Sequence, residues 1–433
     1  MKKALSLLLC ALMLLPLLSS CASAHLEDTP AQATKEELVE KQETAKEETT
    51  EKVEKHNYPE IKDKLSWEKI KSFPIAPGSG MTTDQLRQLC ADFFRYSKSA
   101  LWTPSTSWDY IRNASGTQDK MQLGVVYGGL PYIGLASCSI YRLMDWYDEE
   151  TGVVNMSEAT KFPKHFGNQC SIASHWGWAR VINSAKHTWT QNMTYANGFL
   201  RVGPYTYDET ITDFSKVGGT VDICAVNGEQ KMYESYAQLK MADGLVYYTT
   251  AGHVIMCTGE PVVVRNNGVI DGEQSYILIT DQGQAWKEYT GKEGDVYQMK
   301  ASIDKKVSFA SLYKGCYLPF TFAEFLGTDP CEATVCTFDY EGESISIETL
   351  RTTTVTTNYA ISDLYAIVRD KDGKIVATKV ERAERGSLRS ADLSSVVFAT
   401  SLSKYCDGSH TVEVVCQLGT GERPTLYKGI LTK

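Results

Sequence analysis

A cysteine at the head of a short amphipathic run, followed by a histidine that opens a β-rich run, supplies the residue types of a thiolate nucleophile and its imidazole base. Cys170, in Asn168-Gln169-Cys170-Ser171-Ile172-Ala173-Ser174-His175-Trp176, and His253, in Ala251-Gly252-His253-Val254, have that arrangement. After Cys170 the apolar residues Ile172, Trp176 and Ala179 recur at three- and four-residue steps, with Asn168 or Ser171 as a cap. This spacing predicts a helix that begins at or just before Cys170. Unpaired N–H groups at a helix N-terminus favour thiolate over thiol, so the sulfur there is a nucleophile near neutral pH. Around His253, Gly244 to Tyr248 and His253 to Met256 read as two strands joined by the turn Thr249-Thr250-Ala251-Gly252. The plainer alternative is a small core thiol and an unrelated histidine, since free cysteine is among the most buried residue types.

The elements that must position these groups follow along the chain. Residues 1–20 read as a secretion signal, with Met1-Lys2-Lys3 as the charged start and Ala4 to Leu17 as the apolar stretch. Leu18-Ser19-Ser20-Cys21 resembles the bacterial lipobox, in which the cysteine is acylated and becomes the mature N-terminus. Cys21 is therefore the expected lipidation site, anchoring the protein to a membrane outside the cytoplasm, in the cell envelope. Residues 21–64 are Glu, Lys, Thr and Ala with almost no large apolar side chains, the composition of a disordered tether. Residues 65–330 are expected to form the catalytic domain, with a helical N-terminal part from Trp67 to about Ile111, and residues 331–433 a separate β domain.

Composition narrows the chemistry. The formal net charge of -9 and the lack of a basic stripe with interleaved aromatics exclude nucleic acid as the expected partner. Gly128-Gly129-Leu130-Pro131 fits neither the Walker nor the dinucleotide spacing, and no cofactor is expected. No Cys-x-x-Cys or His-x-x-x-His spacing suggests a metal site. Of the 12 cysteines, those left after Cys10, Cys21 and Cys170 are odd in number, so complete pairing is impossible. Cys331 with Cys336, and Cys406 with Cys416, are the nearest candidate disulfides.

Further strands are expected at Gly198 to Val202 and Thr220 to Val226, a helix from Gln230 to Leu239, and a strand from Ser275 to Gln282. In the last hundred residues, Leu364 to Val368 and Lys374 to Thr378 flank Asp370-Lys371-Asp372-Gly373, a hairpin signal. His410 to Cys416 and Thr425 to Leu431 flank a second glycine-bearing turn. Regular short strands of this kind predict an all-β, immunoglobulin-like sandwich.

Gly129-Leu130-Pro131-Tyr132, Gln169-Cys170-Ser171, Asp243-Gly244-Leu245-Val246-Tyr247-Tyr248 and Gly252-His253-Val254 are similar, in order, to the motifs of NlpC-type papain-like cysteine peptidases of bacterial cell walls. The likeness covers roughly Tyr127 to Gln282. Gln169 stands where the family has Asp, Ile172 where it has Gly, and Asp243-Gly244 inverts the usual order; the segment between Gly134 and Cys170 is longer than the family norm. The resemblance implies an α+β fold in which a helix packs on an antiparallel sheet, as in papain. It implies Cys170 as nucleophile, His253 as base and Tyr132 as a cleft tyrosine. The group that orients the imidazole comes in the family from the next strand, which makes Asp281 the first choice and Gln282 the second. Gln169, Ser171 and Tyr132 are the expected substrate-binding residues, with the Cys170 N–H and Gln169 or Tyr132 as oxyanion donors. The implied substrate is a peptidoglycan stem peptide, cut between D-glutamate and the diamino acid. The alternatives are amidase or transpeptidase chemistry on the same fold, or a catalytically silent lipoprotein that binds wall glycan.

Overall fold

The computed structural model describes residues 63–433 except 114, 162–164, 291–294, 329–330, 383–387 and 395–401. The signal segment, Cys21 and nearly all of the 21–64 tether lie outside the described residues. Among the described residues no helix is long and apolar enough to cross a membrane.

The helix Thr83–Ser99 begins where a capping box fixes it. Thr82 Oγ1 accepts from the Gln85 N–H at 3.3 Å while Gln85 Oε1 accepts from the Thr82 N–H at 2.9 Å. Leu86, Leu89, Cys90, Phe93, Phe94, Ser97 and Lys98 form its buried stripe at helical spacing. The expected helical run to Ile111 stops at Ser99, because the following residues alternate instead. Trp102 and Pro104 are buried between less buried neighbours, and Leu101–Pro104 and Trp108–Ile111 are strands.

The large sheet has ten strands, and the whole is a mixed α+β structure. Its centre is an antiparallel run in the order Val296–Ser308, Tyr276–Thr290, Gly252–Cys257, Gly244–Tyr248 and Leu318–Thr321. Every residue of Gly252–Cys257 is buried, which explains the apolar run Val254-Ile255-Met256-Cys257: the strand is covered on both faces. Helix Thr83–Ser99 and helix Cys170–Trp178 pack on this centre. Gly177 is the close-approach point, since a Cβ there would meet Met256 at 2.8 Å and Phe94 at 2.9 Å. Asp243, ahead of strand Gly244–Tyr248, is a buried brace: Arg87 Nη1 donates to its Oδ1 at 2.7 Å. Gly244 itself faces the Phe320 ring, which leaves no room for a side chain.

The expected strand at Thr220 to Val226 is a helix, Gly219–Asn227. Its buried residues Thr220, Ile223 and Cys224 fall at three- and four-residue steps, so the helical period outweighs the β-branched composition. Gly218 and Gly219 enter it at φ 75° and 81°, which a side chain would resist. The expected helix to its C-terminal side is Glu229–Tyr236.

In the C-terminal part a five-stranded sheet runs Ser344–Ser346, Thr425–Thr432, Thr411–Leu418, Ile361–Arg369 and Ile375–Arg382; a three-stranded sheet runs Cys336–Phe338, Val355–Thr357 and Ser390–Ala391. Leu364, Val412, Val414 and Leu418 from the first sheet share one core with Phe338 and Val355 from the second. At the hairpin turn Gly373 takes φ 80°, and Asp370 Oδ1 accepts from the N–H groups of Asp372 and Lys374, each at 3.0 Å. Neither expected cysteine pair forms. Cys331 Sγ lies 3.6 Å from the Val181 carbonyl and 3.6 Å from the Tyr359 hydroxyl, and Cys406 Sγ lies 3.4 Å from the Leu402 carbonyl. Cys416 lies in the core that the two C-terminal sheets share, and Cys336 packs against that core.

The long 135–169 segment joins the two parts. Its helix Ile140–Met144 presents Arg142, whose Nε donates to Asp363 Oδ1 at 2.9 Å and whose Nη2 donates to the Ser362 carbonyl at 3.0 Å, with both side chains fully buried. An unpartnered buried guanidinium is costly. Asp363→Ala is expected to destabilise the folded chain by about 3–5 kcal/mol, read as a fall in urea midpoint at unchanged slope.

Candidate active site

Cys170 is the first residue of the helix Cys170–Trp178 and is fully buried. The cap residue is Gln169, in extended conformation, and its side chain makes no cap bond. Its amide donates instead to Ser171 Oγ at 3.4 Å. Neither Asn168 nor Ser171 caps the helix as expected, because both side chains have other partners. Asn168 Nδ2 donates to the Cys138 carbonyl at 3.1 Å, and Ser171 Oγ lies 3.3 Å from His187 Nε2.

Tyr132 comes to this helix through backbone pairing. The Asn168 N–H donates to the Pro131 carbonyl at 3.0 Å and the Ile133 N–H donates to the Asn168 carbonyl at 3.1 Å. Tyr132 is itself buried, in the same apolar cluster as Cys170.

His253 begins the buried central strand, opposite Tyr247. On its other side the ladder pairs Ile279 with Cys257 and Thr280 with Met256. Alternation along the strands then directs Asp281 and Gln282 to opposite faces. Asp281 is the one that meets the imidazole: His253 Nε2 donates to its Oδ2 at 3.2 Å, while its Oδ1 accepts the Ser302 N–H at 3.0 Å. Burial alone would raise the Asp281 pKa. The His253 hydrogen bond, the Lys287 charge and the Ser302 N–H outweigh it and hold the carboxyl well below the usual carboxylate range. Gln282 points to the other side, where its amide donates to the Leu130 carbonyl at 3.0 Å.

Lys98 ties these pieces together. Its Nζ donates to Gln282 Oε1 at 3.0 Å and reaches Asn168 Oδ1 at 3.5 Å, and only 2% of the residue is exposed. One ammonium therefore bridges the residue beside Asp281 and the approach to Cys170. Burial pushes its pKa from 10.5 down to about 7, against the opposing pull of Cys138 and Asp281. Sequence reasoning missed Lys98, although its place four residues after Phe94 on the buried stripe was a usable signal. It also missed His187, whose contact with Ser171 depends on a fold-back no period reveals. His187 packs edge-on against His175 at 5.4 Å, and both line a small pocket with Trp178, Met193, Phe199 and Phe322.

Chemically, the arrangement offers a sulfur at a helix N-terminus and a carboxylate-oriented imidazole on the sheet beneath. Among the described residues no cluster of three or more His, Cys, Asp or Glu is placed to hold a metal ion. The chain matches no protein-family model, and no curated protein or solved structure is significantly similar to it.

A lysine with a depressed native pKa binds its proton less well in the folded than in the unfolded chain. Its contribution therefore makes stability rise with pH between about 7 and the unfolded value of about 10.4, by up to ~1.4 kcal/mol per pH unit. Urea titrations of wild type and Lys98→Met at pH 7, 8 and 9 should show that increment in the first and its loss in the second. Equal slopes would mean that Lys98 stays protonated throughout.

Proposed function

We propose that this chain is an extracytoplasmic cysteine hydrolase of the papain-like, NlpC type, anchored through Cys21 and acting on amide bonds of peptidoglycan stem peptides. The observation that carries the chemistry is the His253–Asp281 hydrogen bond on neighbouring strands, with Cys170 opening the helix that packs on them. The substrate class rests on the resemblance of residues 127–282 to that family. The cut between D-glutamate and the diamino acid, and an immunoglobulin-like role for residues 331–433 in holding the enzyme on the wall, belong to the same proposal.

With Nε2 engaged by Asp281, Nδ1 of His253 takes the sulfur proton. Cys170 Sγ then attacks the carbonyl carbon, and the oxyanion meets the N–H groups of the uncapped first turn. The imidazolium, stabilised by the ionised Asp281, passes its proton to the leaving amine, and water releases the acyl group by the reverse sequence. Asp281→Asn leaves the geometry but removes the charge and the tautomer control. Its kcat should fall by ~10²- to 10⁴-fold with little change in KM. Cys170→Ala should lose turnover altogether.

One observation favours the rival reading of a binding lipoprotein: the Cys170 residue has no exposed surface. Brief iodoacetamide treatment at graded pH, with peptide mapping, separates the two. The hydrolase reading expects Cys170 to be labelled first, at a pH well below the free-thiol pKa of about 8.5, with the advantage lost in His253→Ala. Labelling of Cys170 no faster than the other buried thiols would remove the enzyme reading.

A further inference from the structure

Residues 184–198 form a closed loop beside the candidate site. Its two ends meet: Gly198 takes φ 89°, and a Cβ there would stand 3.5 Å from the Ala185 Cβ. A loop of this length whose ends touch is an Ω-loop, packed by its own side chains. Near its start, Glu324 Oε1 accepts from the Asn183 and Ser184 N–H groups, each at 2.7 Å. Further on, the Tyr195 N–H donates to Tyr207 Oη at 2.9 Å and Asn197 Nδ2 donates to the Thr212 carbonyl at 3.0 Å. Between these anchors the loop crosses from the cysteine side of the site to the histidine side. His187 Nε2 lies 3.3 Å from the hydroxyl of Ser171, the residue after Cys170. Thr190 covers Gly252, the residue before His253, where an added Cβ would meet the Thr190 Cβ at 2.7 Å. The turn Thr190–Asn192 packs on both strands Gly244–Tyr248 and Gly252–Cys257. Three residues of chain reach at most about 11 Å, so residues 187–190 take a short path from Ser171 to Gly252. Ala185, His187, Thr190 and Met193 are buried beneath the loop, and Lys186, Tyr195 and Ala196 are exposed on it.

We propose that residues 185–193 are a gate: closed, as here, they shut Cys170 and His253 off from solvent, and a substrate reaches the sulfur when the segment lifts between its anchors at Glu324 and Tyr207. The enclosure of Cys170, which has no exposed surface, is then a state of this loop and not a fixed property of the fold. What the gate admits rests on the hydrolase reading. Opening breaks the His187–Ser171 contact and draws Thr190 off Gly252. Bonds inside the segment travel with it: the Asn192 N–H donates to the Trp189 carbonyl at 2.8 Å, and the Met193 N–H donates to the Thr190 carbonyl at 3.2 Å. A segment held in this way opens at a free energy well below that of global unfolding, as lids over active sites do.

The test measures access to Cys170 in the folded full chain, as its rate of labelling by N-ethylmaleimide at one pH in urea below the unfolding transition, read by peptide mapping. Wild type, His187→Ala, His253→Ala and the double variant are compared. Removing the His187 tie should raise the Cys170 rate ~3- to 10-fold, the effect of one lost hydrogen bond. The same factor is expected in the His253→Ala background, since access and activation are separate. In wild type the rate should rise with urea far less steeply than global unfolding does, because lifting 185–193 exposes little surface. Hydrogen exchange on wild type needs no variant to fold. The N–H groups of 187–193 should exchange through an opening of the same free energy as that of Cys170 labelling, and those of Val254 to Cys257 only through global unfolding. A Cys170 rate that ignores His187→Ala, or that follows the urea slope of global unfolding, would overturn the gate. The hydrolase reading fails by a different result, a Cys170 rate unchanged in His253→Ala while the His187 factor persists; the loop would then cover an unactivated thiol and admit no substrate.

Discussion

A charge buried on an apolar helix face sets the geometry around Cys170. Removing an ammonium from water costs several kcal/mol unless oxygens replace the lost hydration. On the stripe of helix Thr83–Ser99 that requirement falls on Lys98, and the oxygens come from Asn168 and Gln282. Asn168 is two residues before the nucleophile candidate, and Gln282 is next to the carboxylate that holds His253. Satisfying one lysine therefore draws the mouth of the Cys170 helix and the middle of the Asp281 strand to the same point. Gln282 extends the network by donating to the Leu130 carbonyl, and Asn168 pairs with the backbone on either side of Tyr132. A network of this kind is favourable only when every member is satisfied, so it specifies one arrangement of three segments far apart in sequence.

The same logic explains what could be read from the chain beforehand. The start of the Cys170 helix, the strands flanking residues 249–251 and the two C-terminal hairpins each announce themselves over fewer than about twenty residues, by period or by an Asp-Gly or Gly-rich turn. The choice between Asp281 and Gln282 needed the third dimension, because the two are neighbours on one strand and only pairing with Gly252–Cys257 decides which face each presents. Thr220 to Val226 was misread because β-branched composition was weighed above spacing; burial at 220, 223 and 224 is helical. The stripe position of Lys98 signalled its burial, but its partners, like those of His187, were out of reach for a different reason. Their roles come from partners 70 and 16 residues away, and a side chain's tertiary partner leaves no periodic trace.

The segment 135–169 carries a structural task that its length did not foretell. Through Arg142 and Asp363 it fastens the five-stranded sheet to the large sheet, and the Tyr141 hydroxyl adds a bond to the Gly419 carbonyl at 3.2 Å. The Cys170 helix shares this contact. Ile172, Trp176 and Ala179 pack with Ala360, and Gly419 approaches Ala179 so closely that a side chain there would meet its Cβ at 2.7 Å. The C-terminal sheets thus press on the back of the helix that bears Cys170, opposite the face turned to the central strands. Its position is fixed from both sides, and rigidity is what a site built on a hydrogen-bond distance requires.

That enclosure also bears on the missing side-chain cap at Gln169. Ser, Thr, Asn and Asp are the usual caps, and both Asn168 and Ser171 are near enough to serve. Each is committed elsewhere, Asn168 to Lys98 and the Cys138 carbonyl, Ser171 to Gln169 and His187. A helix that gives up its cap loses about 1 kcal/mol, and in a buried setting the exposed N–H groups seek an anion. The residue standing at that position is a cysteine, the one side chain there that can become an anion near neutral pH and also form a bond to carbon. Uncapped donors would stabilise the thiolate before attack and the oxyanion after it.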